Sequence, residues 1–580
     1  MIGIIIFSFL FYTIFVAWYS WFKTRKTNLS SSDGYFLGGR SLTGVVIAGS
    51  LILTNLSTEQ LVGLNGQGFS ETMAVMGWEV TSPLVLILMA FVFLPRYLKS
   101  GITTIPDFLE QRYDRKTRQI VSVLFLLGYA VAYLPTVLYS GALVLDSIFS
   151  LSSIAGTSQI MTVSIVAAAI GIIGCGYVIF GGLRACAISD TINGIGLIIG
   201  GLLIPILALV AIGGGDLVGG FKELIDKNPA KLNAIGNHES SVPWTVLLTG
   251  LLFNNLFYWC TNQSIIQRTF AAKNLAEGQK GVLFAGLFKI FGVFFLVLPG
   301  IIASFLYGNT LPTGDMAYPT LVSDVLPLAL SGFLAAVLFG AILSSFNAAL
   351  NSSITLFTLD IYQPIFKPEA SERELVKAGR FFAGALALVS VIVAPFIIFA
   401  PSGLYSYLQE MFGFYNLPII AMVLVGFFSK YVPASAPKIT IIVHLIAYSL
   451  SKVFLGHVNF LYVLAILFPL NIFIMVLVGK LKPRITPYVL LDAGKVDLTP
   501  WKHAKAFAIF TISLMIAMYV FFSPIGIAES AGGYSPLSVV FMIGSLALLG
   551  AVFWFFKRTE TRRERVKAGP ISPKVTQLHK

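Results

Sequence analysis

Charge is what this sequence has least of. Asp, Glu, Lys and Arg make up 11% of its 580 residues, against about 25% in ordinary soluble domains. Apolar residues make up 56%, above the usual share of about 45–50%. A string of soluble domains is therefore excluded, although the length alone would allow several. Cysteine is nearly as scarce. Cys175, Cys186 and Cys260 lie in or beside apolar runs, which reads as reduced packing residues with no disulfide framework and no metal centre. The five histidines, at 238, 444, 457, 503 and 579, are scattered. No H-E-x-x-H occurs, so a membrane-embedded metalloenzyme lacks its usual supports. The G-x-x-x-x-G-K-[ST] loop of an ATP-driven pump is missing too. No kinase, cyclase or nucleotide-binding tail points to a membrane sensor. Long polar linkers are absent. The longest polar stretches, 213–242 and 480–505, are loop-sized. One polytopic membrane domain over 1–560 follows, with a basic tail at 561–580 that reads as disordered.

Long apolar runs fill the rest. About fifteen bilayer-length spans are expected, near 2–20, 42–68, 73–97, 117–148, 160–178, 187–212, 242–270, 280–306, 328–362, 376–399, 404–428, 435–455, 458–480, 506–523 and 535–556. The first run has neither a basic leading segment nor a small-residue cleavage site, so it reads as a retained helix. The net charge of +13 reports topology and not nucleic acid. With the N-terminus outside, 34 of the 39 basic residues fall in loops or ends on the inner side. The exceptions are Lys222, Lys227, Lys231 and Lys452 outside and Lys289 within a span. That is the positive-inside pattern, and it places the C-terminus in the cytoplasm. The stretch 105–118 reads as an amphipathic interfacial helix.

The most informative segment is 41–68, SLTGVVIAGSLILTNLSTEQLVGLNGQG. Asn55, Ser57, Thr58, Glu59 and Gln60 stand where a span should be driest. Hydrocarbon cannot satisfy such groups, so they must face protein, a cavity or a solute. A second polar middle follows at 250–268, with four spans between. Paired interrupted helices at this separation mark inverted-repeat transporters. Glu79 and Lys289 are the buried charges. They pair either with each other, as a scaffold, or with a polar ligand. Ser82 shares a face with Glu79, and Gln60, Asn255 and Gln409 add amides from other spans. Amides and carboxylates satisfy sugar hydroxyls, and aromatics such as Tyr258, Trp259 and Tyr405 cover sugar ring faces. Ser344 and Ser345 are adjacent hydroxyls after Ala341. With carbonyls freed at the first break, at Leu53 and Leu56, they would suit sodium. Asp190 reads either as an ion-exit waypoint or as a partner of Arg184. Glu59 has no assigned role.

NLSTEQLVG, WEVTS, NNLFYWCTNQSIIQRTFAAK, EGQKG, FGAILSSFNAALNSS and TLDIY together resemble the solute:sodium symporter family. The match is to its sodium/glucose cotransporter branch and, within that, to bacterial YidK-like members. The resemblance implies an all-α integral membrane fold. Its core, here 42–428, would be a LeuT-type 5+5 inverted repeat, with one extra leading helix and about four trailing ones. It implies a bacterial inner-membrane protein that imports a hexose-type sugar with sodium, by alternating access in the lipid bilayer. By similarity to the bacterial sodium/galactose transporter, the sugar would meet Gln60, Glu79, Ser82, Asn255, Lys289 and Gln409. Tyr258 would be the inner gate, with Trp259 beside it, and Leu64, Trp78 and Tyr405 the outer plug. Sodium would take the carbonyls of Leu53, Leu56 and Ala341 and the hydroxyls of Ser344 and Ser345. Tyr133 stands where that transporter has Asn. A second sodium, held in some members by two hydroxyls one turn on, would meet Asn347 and Ala348 here, so one coupled sodium is expected. A sugar acid or other small polar solute is the alternative substrate, paired with Lys289. A passive channel would show flux without sodium.

Overall fold

The computed structural model describes residues 2–25, 38–399 and 404–528. The expected last span, 535–556, and the basic tail, 561–580, lie outside the described residues. Every described element is helical apart from one isolated bridge between Leu42 and Ala272. Among the described residues, ten helices are long and apolar enough to cross a membrane, and up to 13 if each bent pair counts as one span.

The leading helix α1 is Ile2–Thr24. The first broken span is α2, Gly44–Asn55, with α3, Thr58–Ser70, bent by 57°. Next come α4, Met73–Ser100, the short α5, Ile105–Arg112, and α6, Arg115–Phe149. The spans α7, Gln159–Ile179, and α8, Leu183–Ile212, complete the first five. The second five open with another broken pair, α9, Gly250–Cys260, and α10, Gln263–Phe270. They continue with α11, Leu275–Phe291, and α12, Val293–Tyr307, then α13, Leu330–Phe366, and α14, Glu372–Ile398. The set closes with α15, Leu404–Gly413, and α16, Asn416–Phe428. The trailing helices are α17, Ser435–Phe454, α18, Phe460–Leu481, and α19, Ala504–Phe521. Each set of five thus starts with an interrupted helix.

Local chemistry explains the interruptions. Ser57 takes the N-cap position of α3 in an extended conformation, a role serine favours. Ser57 N–H turns back to the Asn55 carbonyl, and Gln60 N–H bonds to the Ser57 carbonyl. The carbonyls of Leu53 and Leu56 are left without backbone donors among the described residues. Asn262 caps α10, its side chain accepting from Ser264 N–H at 3.1 Å and from the Tyr129 hydroxyl at 2.7 Å. Wide π turns occur at Met89–Phe93 and Tyr129–Tyr133. Pro95 and Pro135 lie two residues after them. Proline has no N–H and crowds the carbonyl four residues back, so the preceding turn widens.

Burial sorts the spans. The apolar window of α13 is 89% buried and that of α1 is 11% buried. Phe7, Phe11, Ile14 and Trp18 of α1 are exposed, as lipid-facing residues are.

Three expectations change. Bends at Gly292 (49°) and between α15 and α16 (48°) split spans expected to be continuous. The stretch 178–187, expected as a loop, is helical. The chain still reverses within it, because Gly174 packs on Phe346 while Asn193 packs on Gly340, Gly196 on Val337 and Gly200 on Leu334. A straight helix would advance about 28 Å between Gly174 and Asn193, yet their contacts on α13, Phe346 and Gly340, are only six residues apart. Finally, 105–118 is not one helix: the amphipathic α5 stops at Arg112 and α6 begins at Arg115. Ile105, Phe108, Leu109 and Arg112 are buried. The Arg112 guanidinium donates to the carbonyls of Gly426 (3.1 Å), Ser429 (2.6 Å) and Val432 (3.1 Å), a cation at the C-terminal end of α16. Arg118 on α6 is paired with Glu110 on α5 and with the fully buried Asp360 on α13.

Candidate functional site

Two of the interrupted spans and the Gly292 bend converge on one closed cavity. It is lined by Asn55, Glu59 and Gln60 at the first break, by Trp78, Glu79 and Ser82 on α4, and by Tyr133 on α6. Asn254, Asn255, Tyr258 and Trp259 on α9 complete it, with Lys289 on α11 and Tyr405, Leu408, Gln409 and Phe412 on α15. Its volume is about 20 Å³, enough for about one water molecule. All seven residues expected to meet a solute (Gln60, Glu79, Ser82, Asn255, Tyr258, Lys289 and Gln409) face this one space.

Their hydrogen bonds form a chain across the cavity. Gln60 Nε2 donates to Glu79 Oε1 at 3.1 Å. Lys289 Nζ pairs with Glu79 Oε2 and donates to Asn55 Oδ1. Asn55 Nδ2 donates to the Tyr258 hydroxyl at 3.1 Å. The Lys289 ammonium also stands 5.5 Å from the Trp259 ring centre, a cation–π distance. The Glu79 carboxylate packs against Gly292. A Cβ there would fall 2.9 Å from the Lys289 carbonyl and 3.0 Å from Glu79 Oε2. Beside this chain, Asn254 Nδ2 donates to Gln409 Oε1 at 3.0 Å, and Asn254 Oδ1 accepts from Asn416 Nδ2. Asn255 Nδ2 donates to Thr81 Oγ1 at 3.0 Å, and Ser82 Oγ to the Trp78 carbonyl at 3.0 Å. Several lining atoms have no partner among the described residues: Glu59 Oε2, Gln60 Oε1, Tyr133 OH and Trp78 Nε1.

A larger cavity of about 990 Å³ opens on one side. Its wall includes Gly63, Gln67, Glu71, Asp315 and Ser406, and Tyr405 lines both spaces. The Tyr405 ring meets Trp78 edge to face at 5.3 Å, so these two expected plug residues stand between vestibule and cavity. Leu64 is fully buried and lines neither space. On the other flank Tyr258 and Trp259 are also edge to face, at 5.2 Å.

The expected cation residues meet at the first break. Ser345 Oγ donates to the Thr54 carbonyl at 3.2 Å, and Ser344 Oγ lies 3.5 Å from Thr54 Oγ1. Thr54 sits between Leu53 and Leu56, whose carbonyls are the unpaired ones. Ala341 is one turn earlier on α13 and fully buried. The oxygen set is hard and neutral, which suits an alkali cation. Asp190 accepts from Ser50 Oγ at 2.7 Å and lies 3.9 Å from Arg268 Nη2, so its partners come from α2 and α10.

Residues 35–436 match the sodium:solute symporter family. The chain is also 46% identical to the uncharacterized symporter YidK of Escherichia coli (strain K12), across 96% of its own length and 97% of the relative's. The chain belongs to the sodium:solute symporter family. These proteins are transporters and not enzymes. This symporter is 34% identical to the sodium/glucose cotransporter of Vibrio parahaemolyticus, over 70% of this chain and 77% of that one. Identity to the sodium/myo-inositol cotransporter of Bos taurus is 30%, over 81% and 72%. Among solved structures, a sodium-coupled sialic acid symporter in a substrate-bound outward-open state superposes with a TM-score of 0.69, at 22% identity. The match covers 83% of this chain and 98% of that one. That likeness establishes the fold, a LeuT-type arrangement of two five-helix repeats.

Asn254 and Thr54 have roles in the symporter's geometry that its sequence did not single out. Asn254 precedes Asn255, and only the phase of α9 decides which amide reaches Gln409. Thr54 is one of many hydroxyls in spans, most of which bond their own helix. Asn55 stood out as a polar residue in the break, but its bonds to Lys289 and Tyr258 depend on tertiary packing.

Proposed function

We propose that this protein is a bacterial inner-membrane symporter that accumulates a hexose-type sugar using the sodium gradient. The observation that carries this reading is the bond chain Gln60–Glu79–Lys289–Asn55–Tyr258. It is a bidentate-capable set of amide, carboxylate and ammonium groups in a closed cavity walled by aromatic rings. Relatives named for glucose and myo-inositol, both neutral polyhydroxyl solutes, support the solute class. Gln60, Glu79, Ser82, Asn255, Lys289 and Gln409 would hold the sugar. Sodium would sit at the Leu53, Leu56 and Ala341 carbonyls with Ser344 and Ser345, and Asp190 would lie on its exit path.

Coupling follows from position. The first break carries the cation carbonyls on one side and Asn55 and Gln60 on the other. A cation that orders the break also orders the sugar-binding amides, so it favours the state that binds sugar. A hexose has twelve heavy atoms and cannot enter a cavity sized for about one water molecule. Trp78 and Tyr405 must part to admit it from the vestibule, and Tyr258 must swing to release it. The vestibule would open to the periplasm and the α5–α16 end to the cytoplasm, with the N-terminus outside. A thermal-shift screen of a sugar panel with and without sodium tests the reading. At least one hexose is expected to stabilise the protein only when sodium is present. Equal shifts in potassium would remove the coupling.

A further inference from the structure

The cavity holds a second carboxyl group outside the bond chain. Glu59, in the first turn of α3, is 3% exposed and lines the cavity between the break and Gln60. Its Oε2 meets no hydrogen-bond donor among the described residues. The one ammonium in the wall, Lys289, is already bonded to Glu79 and Asn55, and every other lining residue is neutral. Gln60 Oε1 is a further open acceptor beside it, Tyr133 OH is open both to accept and to donate, and Trp78 Nε1 is an open donor. The wall therefore offers acceptors, and its acids outnumber its bases.

We infer that Glu59 is a specificity-determining residue that accepts a hydroxyl of the solute and turns away solutes bearing a carboxylate. The inference rests on the proposed sugar reading and narrows it to neutral polyhydroxyl compounds. A buried acceptor with no donor is costly, and a sugar hydroxyl supplies the missing donor. An incoming carboxylate offers none. It would add a like charge in a closed space of low effective dielectric, where repulsion is strong. It could recruit Lys289 only by breaking the Glu79 pair, which leaves Glu79 and Glu59 both uncompensated. The same acceptor-rich wall does accommodate a hexose or an inositol, whose hydroxyls all donate.

The test uses the full chain in proteoliposomes with sodium-driven uptake of a labelled hexose. Unlabelled hexose, inositol and the matching hexuronate serve as competitors. In the wild-type protein the hexuronate is expected to compete about 100-fold more weakly than the hexose, the scale set by leaving a buried polar group unmet. Glu59→Gln is expected to weaken the hexose about tenfold and to shrink the hexose-to-hexuronate gap by about the same factor. Half-saturating sodium should stay within about twofold, which separates a solute contact from a change at the cation site. Glu59→Asp keeps the charge and is expected to keep the gap. Equal competition by hexuronate and hexose in the wild type would overturn the inference while leaving sodium-coupled symport intact. An unchanged gap in Glu59→Gln, or a lost gap in Glu59→Asp, would also overturn it. Failure of every sugar to compete or to be carried with sodium would instead overturn the sugar reading itself.

Discussion

Glu79 and Lys289 are both buried, so each requires the other. Removing one member of a buried pair leaves an uncompensated charge, at a cost of about 3–5 kcal/mol. Glu79→Ala is therefore expected to cut sugar uptake more than about 100-fold while the protein still inserts, as checked by transport assays alongside membrane content. Near-normal uptake by that variant would remove Glu79 from the site. These residues were legible in the sequence because charge inside a span is expensive and hence rare. The same logic exposed Gln60, Asn255, Gln409 and the serine pair. It left their partners open. A sequence does not say that Lys289 reaches Asn55 as well as Glu79, or that Asp190 lies against Ser50 and Arg268. Glu59 was equally visible, and only the cavity wall and its unmet Oε2 suggest what it does.

At the scale of elements, the broken helices place these groups. The break at Ser57 and its counterpart at Asn262 were readable as polar interruptions in apolar runs. The bends at Gly292 and between α15 and α16 were not, since glycine is frequent in membrane helices and most instances do not bend them. Yet Gly292 lets the Glu79 carboxylate approach the α11–α12 bend. Gly292→Ala is expected to push that carboxylate away and lower uptake about tenfold or more, since misplacement by a fraction of an ångström is costly at a preorganised site. Uptake by G292A in cells, normalised to membrane content, checks this. Unchanged uptake would mean that the bend does not position the pair. The π turn ending at Tyr133 is a similar case. Pro135 lies two residues after it, but that the turn brings Tyr133 into the cavity wall depends on the packing of α6.

At the scale of the whole molecule, the two five-helix sets and the leading helix match what the motifs implied. Span ends were less legible. The turn between α7 and α8 carries no polar loop to mark it, because the chain reverses within helical structure. The proposed cation site has one serine pair, and the next turn of α13 offers Asn347 and Ala348 in place of two more hydroxyls. One sodium per sugar is therefore expected, measured as the charge moved per sugar in reversal-potential experiments. A ratio clearly near two would place a second cation elsewhere. In the proposed cycle a sodium gradient drives accumulation. The most direct measurement is uptake of a labelled hexose by purified protein in proteoliposomes, with an imposed inward sodium gradient. Transient accumulation above the external concentration is expected, collapsing when the gradient is dissipated with a sodium ionophore. Uptake that only equilibrates, at the same rate in sodium and in potassium, would contradict it.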